Sequence, residues 1–112
     1  MADRVHRVTM FKIASQEERD KLLAQYKVLG QTHEKDGKPY ILSLIVGPTE
    51  DDQRNQGYTL VCKTEFASLE DLKYYDDECK AHLEIKKVVR GLSVDGILTV
   101  FFKPQVVSGG SQ

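Results

Sequence analysis

Residues 57–89, GYTLVCKTEFASLEDLKYYDDECKAHLEIKKVV, constrain the fold more than any other stretch of the chain. Tyr58, Leu60, Cys62 and Phe66 share one side of an alternating run; Thr59, Lys63 and Glu65 share the other, broken by Val61. A period of two is the pattern of a strand with one buried face. Ser68-Leu69-Glu70-Asp71 follows as a capping box, its serine oxygen placed to accept from an early helical N–H. Ala81, Ile85, Val88 and Val89 then recur at helical spacing with His82 on the flank. Asp76, Asp77 and Cys79 are weak helix formers, so the helical region is expected to break there, with Tyr75 ending one helix and His82 beginning the next.

The remaining elements follow in order. Residues 4–13 read as a strand, with Val5, Arg7, Thr9, Phe11 and Ile13 on one side and His6, Val8, Met10 and Lys12 on the other. Both sides carry apolar groups, which predicts cover on both. Ser15-Gln16-Glu17-Glu18 opens a helix whose apolar face is Leu22, Leu23, Tyr26 and Leu29 and whose end falls between Gly30 and Lys35. Asp36-Gly37-Lys38-Pro39 is a turn by composition. Residues 40–46, nearly all apolar and rich in β-formers, predict a strand buried on both faces, closed by Gly47-Pro48. Residues 49–56 are a polar, mobile loop by composition; Gly91 is a helix C-cap, and residues 97–102 are a last strand ended by Pro104.

The order β-α-β-β-α-β is that of a ferredoxin-like α+β domain, an antiparallel four-stranded sheet with helices on one face. Such helices cover one sheet face only. Val5, Phe11, Ile13, Ile97 and Phe101 are therefore expected to need a second cover, and a two-fold homodimer supplies it. The domain is expected over residues 4–104, with a flexible tail over 105–112 in which Val106 and Val107 could pack on a partner.

Composition narrows the function classes. A chain of 112 residues, 40% hydrophobic and 29% charged, is sized for one domain, and its net charge of −1 creates no field favouring nucleic acid or anionic membrane. No apolar run approaches the ~18 residues of a membrane span, and Met-Ala-Asp-Arg-Val-His lacks an apolar signal region, so a cytoplasmic location is the expectation. The two cysteines, Cys62 and Cys79, read as reduced thiols, with Cys62 in the core. His6, His33 and His82 are scattered, so no metal is expected, and His33 reads as solvated. Glu50, Asp51 and Asp52 lack the glycine and glutamate of a calcium loop, and Gly109-Gly110 is no phosphate-cradling loop. Lys80, Lys86, Lys87 and Arg90 read as a solvated helix face, since no aromatic platform accompanies them.

Residues 5–12 (VHRVTMFK), 41–47 (ILSLIVG), Gly57-Tyr58-Thr59 with the strand ending Glu65-Phe66, and Tyr75 followed by His82 resemble, in order and spacing, the stress-responsive A/B-barrel domain. The resemblance spans residues 4–104. It implies a homodimeric α+β barrel with a pocket between each sheet and its own helices. One branch, which includes the olivetolic acid cyclases, closes a linear polyketide by an aldol reaction without metal or cofactor. Matched to that branch, His82 takes the place of the catalytic histidine, Tyr75 of the tyrosine before it, His6 of the first-strand histidine and Tyr26 of the first-helix tyrosine. All four are expected to reach one pocket. Leu60 stands where the branch has a second histidine, so it would be apolar wall. The segment between Tyr75 and His82 is also one residue longer than in that branch, and acidic, and ring closure needs the tyrosine–histidine geometry held to about half an ångström.

The chemistry implied is proton transfer. A neutral imidazole with an ordinary pKa of about 6.5 can accept a carbon acid's proton, and a tyrosine hydroxyl can orient the imidazole or hydrogen-bond an enolate. The alternative for His82 is structural, a ring satisfied by a backbone carbonyl or by Asp76 or Glu78. Tyr26 and Tyr75 read equally as core residues with hydrogen-bonded hydroxyls. Three functions follow as expectations: binding of a small apolar or aromatic molecule, cofactor-independent cyclase or lyase activity through His82 and Tyr75, or a purely structural assembly unit.

Overall fold

The computed structural model describes residues 4–109. Its elements run β1 (Val5–Lys12), α1 (Gln16–Thr32), β2 (Ser43–Pro48), β3 (Leu60–Phe66), α2 (Leu69–Asp77), α3 (Lys80–Arg90) and β4 (Gly96–Phe102). The four strands form one antiparallel sheet in the order β2-β3-β1-β4. This is the ferredoxin-like α+β arrangement, with α1 packed against α3 and α2 lying over β1 and β3.

Alternation sets the core. Val5 and Phe11 of β1 and Leu60, Cys62 and Phe66 of β3 are buried on the helix side, with the intervening Arg7, Thr9 and Thr64 beside them. Leu22, Tyr26 and Leu29 of α1, Leu72 and Tyr75 of α2 and Ile85 of α3 close over them. The opposite face of β1, His6, Val8, Met10 and Lys12, is only half-buried. The choice of β1 residues needing a second cover is thus corrected: Val5, Phe11 and Ile13 are core residues of their own chain. Phe11 meets Tyr26 edge-on with ring centroids 6.4 Å apart. Ile97 and Phe101 differ, remaining 50% and 55% exposed because β4 is an edge strand lying beyond the helices.

Ser15 Oγ accepts from Glu18 N at 3.2 Å and Ser68 Oγ from Asp71 N at 3.1 Å, so both helices start where the capping signals lie. The reciprocal half of each box is diverted: Glu18 accepts from Ser93 N, and Asp71 pairs with Lys35. The helical region breaks as its composition predicts. α2 ends at Asp77, Cys79 caps α3, and Tyr75 and His82 lie in the last and first turns of successive helices.

Three expectations are revised. β2 begins at Ser43, not at residue 40, and as the other edge strand it leaves Ile45 exposed. Tyr40 instead turns inward to pack on Phe66 and Tyr74. The polar loop 49–56 contains a 3₁₀ turn, Gln53–Asn55, capped by Asp52. His33 is not solvated: its Nδ1 accepts from the Tyr40 and Ile41 N–H groups, tying the end of α1 to the approach to β2, and burial lowers its pKa. Of the tail expected over 105–112, residues 110–112 lie outside the described residues; in 105–109 no helix or strand forms, and Val106 and Val107 are exposed.

Candidate functional site

A cavity of about 260 Å³ opens between the β1–β4 side of the sheet and the inner faces of α1 and α3. Each element supplies its wall by periodicity. β1 contributes Arg7, Thr9 and Phe11 at alternate positions, and β4 adds Ile97 and Thr99 in register with Phe11 and Thr9. α1 contributes Tyr26. α3 contributes His82, Lys86 and Arg90 at four-residue spacing, flanked by Ile85 and Val89. A larger hollow of about 480 Å³ lies outside, between the end of α1 and the α2–α3 joint. Its charged walls are Glu34, Glu78, Lys80 and Glu84, and none of the expected site residues reaches it, so the smaller cavity is the candidate site.

His82 is 4% exposed. Its Nδ1 lies 2.8 Å from the Tyr75 carbonyl oxygen, which can only accept, so Nδ1 carries the proton and Nε2 keeps a free lone pair. Burial depresses its pKa to about 4; the Tyr75 carbonyl opposes that shift, while the charges of Arg7 and Lys86 add to it. At neutral pH the ring is an uncharged acceptor in a fixed tautomer. Its plane stacks on the Tyr75 ring, with centroids 3.7 Å apart and an interplanar angle of 13°. The backbone-carbonyl alternative for this histidine therefore describes one of its nitrogens, and the other makes no hydrogen bond among the described residues.

Tyr75 sits behind His82 rather than on the cavity wall. It is fully buried, and its hydroxyl has no hydrogen-bond partner among the described residues. Burial raises its pKa well above the usual tyrosine value. Tyr26 reaches the wall, and burial likewise raises its pKa, reinforced by the neighbouring Cys62. Leu60 is wholly buried beneath the site, paired across the sheet with Phe11, and does not line the cavity.

The structure does not bring His6 to this group. His6 projects from the opposite sheet face, stacked on Phe102 with centroids 5.4 Å apart and 3.9 Å from Glu65. The expectation that His6, Tyr26, Tyr75 and His82 converge is corrected by one residue of strand parity. A shift of one position exchanges the faces, and the polar group entering the helix side is Arg7. Its guanidinium donates from Nη1 to Thr9 Oγ1 at 2.8 Å, pairs through Nη2 with Asp76 Oδ1 at 2.9 Å, and lies 5.1 Å from the centre of the Tyr75 ring. Arg7, Lys86 and Arg90 are the charged wall residues that the sequence reading missed. The available signals were the parity of Arg7 with Phe11 and the i, i+4, i+8 spacing of His82, Lys86 and Arg90.

The sequence matches the Stress responsive A/B Barrel Domain over residues 5–100. The chain belongs to that family. It is 53% identical over 109 residues to a Fusaristatin A biosynthesis cluster protein of Gibberella zeae, covering 97% of this chain and 79% of that one. Among solved structures, this A/B-barrel chain resembles the hydroxynitrile lyase of Passiflora edulis with a TM-score of 0.75 at 16% identity, covering 97% of this chain and all (100%) of the other. SnoaB, a cofactor-independent oxygenase from Streptomyces nogalater, aligns with a TM-score of 0.69 at 13% identity over 95% of this chain and 97% of its own. A dimeric ferredoxin-like protein of unknown function from Jannaschia sp. aligns with a TM-score of 0.74 at 16% identity over 90% and 99%. At those identities the structural likenesses establish the fold alone. Among the described residues no helix is long and apolar enough to cross a membrane, and no cluster of metal-ligating side chains occurs.

Proposed function

We propose that this A/B-barrel domain, taken as residues 4–104, is a cytoplasmic homodimer that binds a small apolar or aromatic molecule in the cavity between sheet and α3. The observation that carries the reading is His82: a neutral ring with its proton committed to the Tyr75 carbonyl and Nε2 without a partner among the described residues, on the wall of a cavity whose apolar side is Phe11, Ile85, Val89 and Ile97. A few polar groups in an apolar lining suit a ligand with an aromatic or alkyl body. The dimer surface of this reading is the sheet face opposite the helices, where Leu98, Val100 and Phe102 of β4 lie beside Val8 and Met10 of β1. An obligate interface there would bury more than ~2,000 Å² in total. Dimeric ferredoxin-like structures of the same fold support that part of the reading.

A second reading, cofactor-independent cyclase or lyase activity with His82 as base and the Tyr75 hydroxyl as enolate partner, is favoured by the relative from a biosynthesis cluster. Proton transfer to a fixed imidazole needs no metal or redox group. Against it stand the burial of Tyr75 behind His82, off the cavity wall, and the depressed basicity of His82: an imidazole with a pKa of about 4 is always available as a base at pH 7 yet gives little driving force to abstract a carbon acid's proton.

The readings part at Tyr75 and His82. Thermal stability, binding of an alkylphenyl ligand and product formation are measured for the parent, His82→Ala and Tyr75→Phe. Binding alone predicts weakened affinity in His82→Ala, retained affinity in Tyr75→Phe and no turnover in any of them. Catalysis predicts a loss on the order of 10²–10⁴-fold in turnover for His82→Ala with the fold intact. A large stability loss in His82→Ala with unchanged ligand affinity would make the histidine purely structural and end both readings.

A further inference from the structure

The cavity is unevenly charged. Arg7, Lys86 and Arg90 are its charged wall groups, and no carboxylate lines it among the described residues. Asp76, at the end of α2, gathers two of the three: its carboxylate pairs with Arg7 Nη2, and its main-chain oxygen accepts from Lys86 Nζ. That leaves Arg7 under-supplied. Its side chain is 10% exposed, so desolvation has been met, yet Nε has no acceptor among the described residues. A buried guanidinium with an unpaired donor gains from a planar anion, which can take two parallel N–H donors. The positive charge also lies within reach of the ligand-facing histidine, since Arg7 and Lys86 both help depress its pKa. The apolar wall, Phe11, Ile85, Val89 and Ile97, lies alongside this polar end.

From this we infer that the site selects an amphipathic organic anion: a carboxylate, or an oxyanion of similar shape, on an aromatic or alkyl body. The anionic head lies toward Arg7, Lys86 and Arg90, the body lies on the apolar wall, and His82 Nε2 accepts a hydrogen bond from the ligand. The inference rests on the binding reading above and adds the charge of the ligand to it.

The test compares 4-propylbenzoate with neutral, near-isosteric 4-propylbenzamide by calorimetric titration of the full chain at pH 7.5. The benzoate is expected to bind about tenfold tighter or more, because charge-assisted hydrogen bonds exceed neutral ones by that order. The advantage should shrink as salt is raised. Lys86→Gln with Arg90→Gln, both at the helix surface, should lose part of the preference, and Arg7→Met should abolish it. Asp76→Asn removes the competing carboxylate and keeps the main-chain oxygen, so it should tighten benzoate binding several-fold without changing benzamide. That outcome also serves if Arg7→Met fails to fold. Equal binding of the two compounds by the parent overturns the anion inference and leaves the binding reading standing. An Asp76→Asn protein with no gain for benzoate overturns it as well. Failure of both compounds to bind the parent overturns the two together.

Discussion

Tyr75→Phe should stabilise this protein. The Tyr75 ring stacks on His82 at 3.7 Å and packs on Phe66 at 5.1 Å between centroids, and phenylalanine keeps both contacts. What it removes is a hydroxyl that is fully buried and has no partner among the described residues. Leaving such a group unpaired costs about 1–3 kcal/mol of desolvation, so its removal should return a gain of that order. For a domain of roughly this size 1 kcal/mol moves the melting temperature by about 4–8 °C. His82 should not move, because it is held by the main-chain carbonyl of residue 75, which the substitution leaves in place. The assay is urea unfolding of parent and variant at equal protein concentration, with the midpoint and slope fitted separately. A rise in midpoint at unchanged slope supports the reasoning. A loss of about 1 kcal/mol or more would refute it, since the hydroxyl would then have to be making a hydrogen bond in the folded protein.

The other predictions follow from the same geometry. His82 titrates near pH 4 when folded and near 6.5 when unfolded, so the unfolded chain binds the extra proton between those values. Stability contributed by this group is complete above pH 6.5 and falls by about 3 kcal/mol as pH drops toward 4, and His82→Asn should flatten that part of the profile. His33, also lowered by burial, adds loss of the same sign, so the difference between parent and His82→Asn profiles is the quantity to measure. Val100→Asp, on the exposed edge strand and in register with Val8 on the half-buried face, should give a folded monomer by light scattering and circular dichroism; a dimer that survives the charge would refute that face as the interface. Cys62, whose thiol burial pushes up to about 11, should resist iodoacetamide at pH 8 until the chain unfolds, and rapid labelling of the native protein would contradict its core placement.

The element order, the cap sites and the break between α2 and α3 were legible in the sequence because each is a local property. Serine at an N-cap, weak helix formers at Asp76 and Asp77 and alternation at 58–66 act through neighbours a few residues away. The sequence by itself thus determined the fold class, the placement of Tyr75 and His82 on successive helices, and the covered side of β3. It did not determine which apolar strands need a second cover. Phe11 and Ile13 look like Ile97 and Phe101 in composition, but β1 is central and β4 is an edge, and that ordering comes only from strand pairing. The site was divided in the same way. His82 and Tyr26 were picked out by the family resemblance, with which their helical phase agrees, while Arg7, paired with Asp76 from β1 to the end of α2, appears only when those two elements meet. His6 and Arg7 are adjacent in the chain and on opposite faces of the sheet, and the pleat gave the cavity its guanidinium rather than its imidazole. Tertiary packing alone could decide that, because burial, charge pairing and the lowered basicity of His82 are properties of what surrounds a side chain, not of its place in the sequence.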